Sequence, residues 1–144
     1  MDSVYSSYWM GKLINVLINK GHRQTVEREV KLACKYLKIQ FQVIPLELLL
    51  EGIEKVKPVF GIDYVTVGGR KKEFPVFLGP EHQRGLSVQW LKRLIKERKE
   101  WYLHQRVLSE LVDVREIRRH KLVKQRDSFF AKAVQNKFNL RYAR

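Results

Sequence analysis

The chain has 144 residues, 44% hydrophobic and 31% charged, and its 29 Lys and Arg outweigh 15 Asp and Glu to give a formal net charge of +14 at pH 7. The length suits one domain, residues 1–144, and the apolar share is enough for a core, which excludes a disordered basic tail. No apolar run approaches the roughly 20 residues needed to span a bilayer, and Cys34, the one cysteine, can form neither an intrachain disulfide nor a thiolate metal site.

The start, Met1-Asp2-Ser3, carries no basic stretch leading into an apolar one, so a secretory signal is not expected, and it does not read as an Arg- and Ser-rich transit peptide. Ser6 and Ser7 can cap a first helix. Met10, Leu13, Ile14, Leu17 and Ile18 recur at helical spacing, and Gly21 stands where a left-handed C-terminal cap is wanted. A second helix is predicted over 23–37, with a stripe of Val26, Val30, Ala33 and Leu37 and with Cys34 as a small buried hydrophobe. Residues 38–44 read as a connection. Pro45 suits the first turn of a third helix, whose buried face is expected to be Leu46, Leu49, Leu50, Ile53 and Val56, and Pro58 stops it.

From 59 the period changes. β-Branched and aromatic residues run to Val67, Gly68-Gly69 is a turn signal, and Phe74, Val76 and Leu78 alternate on the return. The reading is one β-hairpin over about 59–78 with a basic tip, Arg70-Lys71-Lys72. A two-stranded ribbon is marginal alone, so it must lean on helices or on a partner. Pro80 opens a fourth helix with a stripe of Leu86, Trp90, Leu91, Leu94 and Ile95. Its other side carries Arg84, Lys92, Arg93, Lys96, Arg98 and Lys99. A fifth helix follows, with Trp101, Leu108, Leu111 and Val112. Residues 114–120 form a basic connection, and a last helix is predicted over 121–140 with Phe130, Ala133, Val134 and Phe138 inward. The fold class is mainly α, a six-helix bundle with one protruding β-hairpin between the third and fourth helices.

No catalytic set is assembled. His22, His82, His104 and His120 lack metal-ligand spacing, and the four aspartates do not gather as a metal-dependent nuclease requires. Glu97 and Glu100, three apart among cations, read as surface ion-pair partners. Gly68-Gly69 is no P-loop, because no GK[ST] follows. No cofactor and no metal are expected.

The charge, by contrast, is patterned. Residues 113–144 hold ten Lys and Arg and three Asp and Glu. Too many like charges lie together on the fourth and sixth helices for a solvated surface alone, and they point to a polyanion. A helix-turn-helix reader of DNA concentrates its contacts on one recognition helix. Cations spread over several helices and a hairpin favour folded RNA, read by shape and backbone. A duplex-DNA regulator and an RNA-processing enzyme are the two rival readings.

The ordered residues then match a family. A first-helix pattern K-F-[IV]-N-x-L-M-x-x-G-K-[KR] is met by Lys12-Leu13-Ile14-Asn15-Val16-Leu17-Ile18-Asn19-Lys20-Gly21-His22-Arg23. The segment N-V-[RK]-P, then V-G-G, then P and P, is met by Val56-Lys57-Pro58, Val67-Gly68-Gly69, Pro75 and Pro80. Trp90 stands for a tryptophan of the next helix. Arg106, Glu110 and Leu111 fit the fifth helix, and, with a one-residue adjustment in the next loop, Lys124, Arg126, Asn136, Lys137 and Tyr142 fit the last. On these residues the chain resembles the S-seven family of small-ribosomal-subunit proteins, bacterial and organellar type.

The resemblance implies a non-enzymatic protein that binds the 3′ major domain of small-subunit rRNA and organises assembly of the subunit head. It implies a hairpin near the exit-site tRNA and the mRNA exit path, and a neighbouring protein of the S-eleven family. Neither a membrane nor a homo-oligomer is expected. The positions expected to meet rRNA are Lys12, Arg23, Arg84, Lys92, Arg93, Lys96, Lys99, Arg115, Arg118, Arg119, Lys121, Lys124, Arg126, Asn136, Lys137 and Arg141. Asn136 can bond either a base edge or the helix backbone. Gly68, Gly69, Arg70, Lys71 and Lys72 are expected at the tRNA and mRNA exit region. Trp90, Leu94, Phe130 and Val134 are expected in the core, away from nucleotide.

Several positions depart from the family pattern. No counterpart of the family's basic N-terminal arm is expected before the first helix. Val65-Thr66 replace a paired arginine ahead of V-G-G, and His82-Gln83 replace a basic pair after Pro80. With alanine at positions 33, 131, 133 and 143 only, this drift suggests an organelle-encoded protein, mitochondrial before plastid, with the bacterial cytoplasm as the alternative.

Overall fold

A computed structural model describes residues 8–115 and 121–142. Among the described residues the chain forms six α-helices, one two-stranded antiparallel sheet and a closing 3₁₀ turn. The helices are α1 (Tyr8–Leu17), α2 (Arg23–Gln40), α3 (Pro45–Val56), α4 (Pro80–Glu97), α5 (Leu103–Arg115) and α6 (Lys121–Gln135). The strands β1 (Phe60–Val67) and β2 (Arg70–Phe77) sit between α3 and α4, and the 3₁₀ turn spans Lys137–Tyr142. The fold is mainly α, with the hairpin where the sequence places it.

Helix α1 buries Met10, Leu13, Ile14 and Leu17, the stripe its spacing dictates. Gly21 does take a left-handed φ of 78°, but α1 ends at Leu17, so it is no helix cap. With Lys20 (φ 52°) it reverses the chain into α2, where His22 N donates to Asn19 O at 3.1 Å. The expected Ser6 and Ser7 cap lies outside the described residues. Helix α2 buries Val26, Val30, Ala33, Cys34 and Leu37 and runs on to Gln40, so 38–40 are helical and not connection.

Helix α3 opens on Pro45 and shows a rotated buried face: Pro45, Leu48, Leu49, Gly52, Ile53 and Val56. Leu46 and Leu50, expected inside, are only half-buried, and Leu48 takes their place. The reason is Gly52. A Cβ there would stand 2.7 Å from Val114 Cγ1 on α5, so the missing side chain lets the two helices close along that line.

In helix α4 Val88, Trp90, Leu91, Leu94 and Ile95 are buried, together with Ser87, whose hydroxyl donates back to Gln83 O. Leu86 is half-buried. Helix α5 starts later than expected. Trp101 lies ahead of it in the 98–102 connection and is 85% exposed, while Val107 and Val114 fill the core beside Leu111. The α4 C-terminus is turned by Arg98, whose N donates to Ile95 O.

Helix α6 stops at Gln135, short of the expected 140. It reaches the common core through Leu122 and through Phe129, whose ring meets Trp90 edge-on at 5.5 Å. Its C-terminal half lies on the hairpin instead. A ribbon two strands wide cannot cover a whole helix face, so Phe130, Val134 and Phe138 are exposed (51%, 46% and 77%) and only Ala133 is buried as expected. The core assignment of Phe130 and Val134 is therefore wrong, while that of Trp90 and Leu94 holds.

Candidate nucleic-acid interface

The hairpin tip is built by backbone conformation. Phe60 pairs with Phe77 at the base and Val67 with Arg70 at the top. The two loop residues, Gly68 (φ 58°) and Gly69 (φ 77°), are both left-handed, the geometry that a tight two-residue hairpin demands and that glycine adopts without strain. Arg70, Lys71 and Lys72 therefore begin β2 and do not sit in the loop. Their side chains alternate across the ribbon, with Arg70 and Lys71 exposed and Lys72 half-buried.

The ribbon leans on α6 and the 3₁₀ turn. Lys132 Nζ is 3.1 Å from Glu73 Oε2, and Asn139 Nδ2 donates to Glu73 O at 2.8 Å. The Phe60 ring sits 5.8 Å from Phe130. Asn136 uses its amide on the helix backbone: Nδ2 donates to Lys132 O at 3.0 Å, closing α6, and lies 3.4 Å from Glu73 Oε2. Hairpin, α6 and 3₁₀ turn thus form one unit, joined to α4 through Trp90 and Phe129.

The candidate cations divide into two sets. One set is spent within the fold. Arg23 pairs with Glu27 at 2.8 Å, and Arg84 and Lys57 both hold Glu54, at 2.7 Å and 2.8 Å. Those two hydrogen bonds, from Lys57 first and then Arg84, keep the Glu54 carboxyl below its ordinary pKa. Arg126 donates through Nη1 to Lys55 O at the end of α3 at 2.6 Å and meets Asp127 through Nε and Nη2. Lys12 lies over the Tyr8 ring and Lys137 over Phe138. Arg115 lowers the Glu51 pKa by its charge, a smaller effect than that of Lys55.

Arg98 is the most heavily used cation. Burial disfavours its charge, yet hydrogen bonds to Glu100, Glu110 and Asp113 outweigh that and push its pKa above the ordinary guanidinium range. It is fixed structure, locking α4 to α5.

The other set is open. Among the described residues, no carboxylate pairs with Arg70, Lys71, Lys92, Arg93, Lys96, Lys99, Lys121 or Lys124, and all but the half-buried Lys92 are exposed. They lie on the hairpin, on α4 and just beyond it, and on α6. Arg118 and Arg119 lie outside the described residues. Arg141, exposed on the 3₁₀ turn, is not one of this open set. Such a set can neutralise phosphates along a folded backbone without dismantling any internal ion pair.

Sequence reasoning missed an aromatic surface. Phe60, Phe77 and Phe130 form a cluster, with Phe60 and Phe77 4.8 Å apart. Beside it a groove of about 260 Å³ runs between Pro58, Val59, Phe60, Arg126, Phe129 and Phe130. It also missed the exposed Trp101, which the apolar period absorbed into the fifth helix, and its neighbour Tyr102. The signal against that was the surrounding Lys99-Glu100, a polar step that starts no buried stripe.

No three His, Cys, Asp or Glu among the described residues are grouped to hold a metal, and no described helix is long and apolar enough to cross a membrane.

Comparison with known proteins settles the lineage. Residues 1–137 match the family described as Ribosomal protein S7p/S5e. This chain belongs to that family. Its members are structural proteins of the small ribosomal subunit and not enzymes. Among its relatives is the small ribosomal subunit protein uS7 of Azoarcus sp., 30% identical over 115 residues, covering 80% of this chain and 74% of the relative. The uS7 of Aromatoleum aromaticum is 30% identical over 136 residues, covering 94% and 86%. That of the Aster yellows witches'-broom phytoplasma is 29% identical over 112 residues, covering 78% and 72%.

Proposed function

We propose that this chain is a structural component of a small ribosomal subunit, where it binds the 3′ major domain of the rRNA as a single copy and a single domain and organises the head. The observation that carries this is the split among its cations. A set needed by the fold is internally paired, and a second set on the hairpin, α4 and α6 is left open on a member of the S7p/S5e family. That second set is where phosphate would be bound: Lys92, Arg93 and Lys96 on α4, Lys99 just beyond it, and Lys121 and Lys124 on α6; Arg118, Arg119 and Arg141, not members of that set, are proposed to bind phosphate as well.

Lys12, Arg23, Arg84, Arg126 and Lys137 already make contacts within the protein, and in this reading they add peripheral phosphate contacts by sharing or exchanging partners, as Arg115 does from the end of α5. Asn136 serves the helix backbone first. The hairpin tip, Gly68 to Lys72, reaches toward the exit-site tRNA and the mRNA exit path, near a neighbour of the S-eleven family. The tight glycine turn and the anchored base support a rigid probe of that kind. Scarce alanine and drift around the hairpin support a mitochondrial ribosome before a plastid one, with the bacterial cytoplasm as the alternative.

The test is sedimentation of a native lysate and of isolated organelles through sucrose in Mg²⁺. Co-migration with small subunits, in the organelle fraction, is the expected result. A free pool alone overturns the ribosomal reading, and association only with cytoplasmic subunits overturns the organellar one.

A further inference from the structure

Three rings stack in a row at the α2–α5 junction and end at the surface. Tyr36 on α2 lies 5.9 Å from His104 with 29° between planes, and His104 lies 5.3 Å from Tyr102 with 23° between planes. Tyr102 is 53% exposed, and its neighbour Trp101 is 85% exposed. The row is fixed before any partner arrives. His104 is clamped by Glu29, whose Oε2 sits 2.7 Å from Nδ1 and also accepts the His104 backbone N–H at 3.1 Å. The connection that carries Trp101 and Tyr102 is held by Arg106, whose Nε donates to Glu100 O at 2.6 Å, and by the Arg98–Glu100 pair at 3.1 Å.

A fixed stack with an open end is a platform for a further flat ring. The surroundings select which kind. Lys99 stands exposed two positions before Trp101, and Arg28 and Lys35 stand exposed on α2, one position before Glu29 and Tyr36. An aromatic surface bordered by unburied cations matches a nucleotide, whose base stacks while its phosphate meets the lysines. An apolar protein partner would instead strand those charges at a dry boundary. We propose that Tyr102 and Trp101 form a stacking platform for an unpaired base of bound RNA. This rests on the RNA-binding reading above and adds an interaction that charge alone does not provide. The platform is indifferent to base identity, because every base offers a π face.

The experiment titrates the full chain with an in vitro transcript of the 3′ major domain of its own organism's small-subunit rRNA, across a range of salt. Trp101→Ala and Tyr102→Ala should each weaken binding by about ten-fold or more, with the salt slope unchanged because every phosphate keeps its cation. Tyr102→Phe should bind like the wild type. Quenching of tryptophan emission on RNA addition should shrink in Trp101→Phe. Trp101 is so exposed that its alanine variant keeps the fold, which a thermal melt checks. Wild-type binding with a normal salt slope, and alanine variants within about two-fold of it, overturns the platform alone. Absence of salt-dependent binding by the wild type overturns the parent reading with it. Variants that bind RNA normally but fail to enter subunits show a protein docked there, and the platform is again overturned.

Discussion

Arg98 Nη1 stands 2.8 Å from Glu110 Oε2, joining the residue that ends α4 to a carboxylate that α5 holds 3% exposed in the core. The same guanidinium reaches Asp113 at 2.8 Å and Glu100 at 3.1 Å. Removing the cation leaves the Glu110 carboxylate in a dry place without the guanidinium that faces it. Arg98→Ala is expected to destabilise by about 3 kcal/mol, seen as a lower midpoint in urea. Arg98→Met combined with Glu110→Leu should recover most of that loss, because a well-packed apolar pair carries no desolvation cost. A double variant as unstable as Arg98→Ala would mean that the pair does more than satisfy its own burial.

Gly52 and Val114 set the distance between α3 and α5. A Cβ on residue 52 would meet Val114 Cγ1 at 2.7 Å, and Val114 is buried and, being β-branched, restricted at χ1. Gly52→Ala gains helix propensity, about 1 kcal/mol, but overpacking costs about 1–3 kcal/mol, so the net change is expected to be destabilising. Gly52→Ala with Val114→Ala should be more stable than Val114→Ala alone, because the new methyl enters the space the valine leaves. Chemical denaturation of the three variants reads the cycle directly.

What the sequence could show follows from how far each signal reaches. Met10, Leu13, Ile14 and Leu17, or Val26, Val30, Ala33 and Leu37, are buried at the regular helical spacing, so the period alone picks the buried face. Gly68-Gly69 dictates the hairpin turn by backbone chemistry that needs no tertiary help. The errors cluster where a neighbour decides. Leu48 is buried in place of Leu50 because Gly52 faces α5, a fact about another helix. Phe130 and Val134 are exposed because a thin hairpin, not a core, lies against the end of α6. The basic residues of the candidate interface were readable as a set. Which of them are already spent, as Arg84 on Glu54 and Arg126 on Lys55 O, depends on partners 30 and 71 residues away in sequence.

Acid should loosen the α2–α5 junction through Glu29. Burial raises the Glu29 pKa, but hydrogen bonds from the His104 side chain and backbone, with the charges of His104 and Arg28, overcome it and leave the carboxyl below its ordinary value of 4.5. A group held low when folded contributes stability above its unfolded pKa and loses it as pH falls through the folded value. Thermal melts should therefore fall between about pH 5 and about pH 3. Glu29→Gln should be less stable at neutral pH and should show a shallower fall across that window. An equally steep fall in the variant would assign the acid sensitivity to Glu51, Glu54 and Glu100, whose carboxyls are lowered too.

Lys121 and Lys124 offer the cleanest reading of the RNA-facing charge. Both are exposed on α6, and no described carboxylate pairs with either. Arg126, two positions on, is a poorer probe, since its Nη1 holds Lys55 O and its reversal would disturb the end of α3. Lys121→Glu with Lys124→Glu should leave the melting temperature nearly unchanged and weaken binding to the 3′ major domain transcript. The slope of log affinity against log salt should fall by roughly two, one for each phosphate left without its lysine. The matched reversal of Lys20 and Lys38, which lie outside both the proposed phosphate track and the ring platform, should change the slope by less. Equal slopes for the two double variants would mean that the chain's total charge, and not its α6 face, sets the affinity.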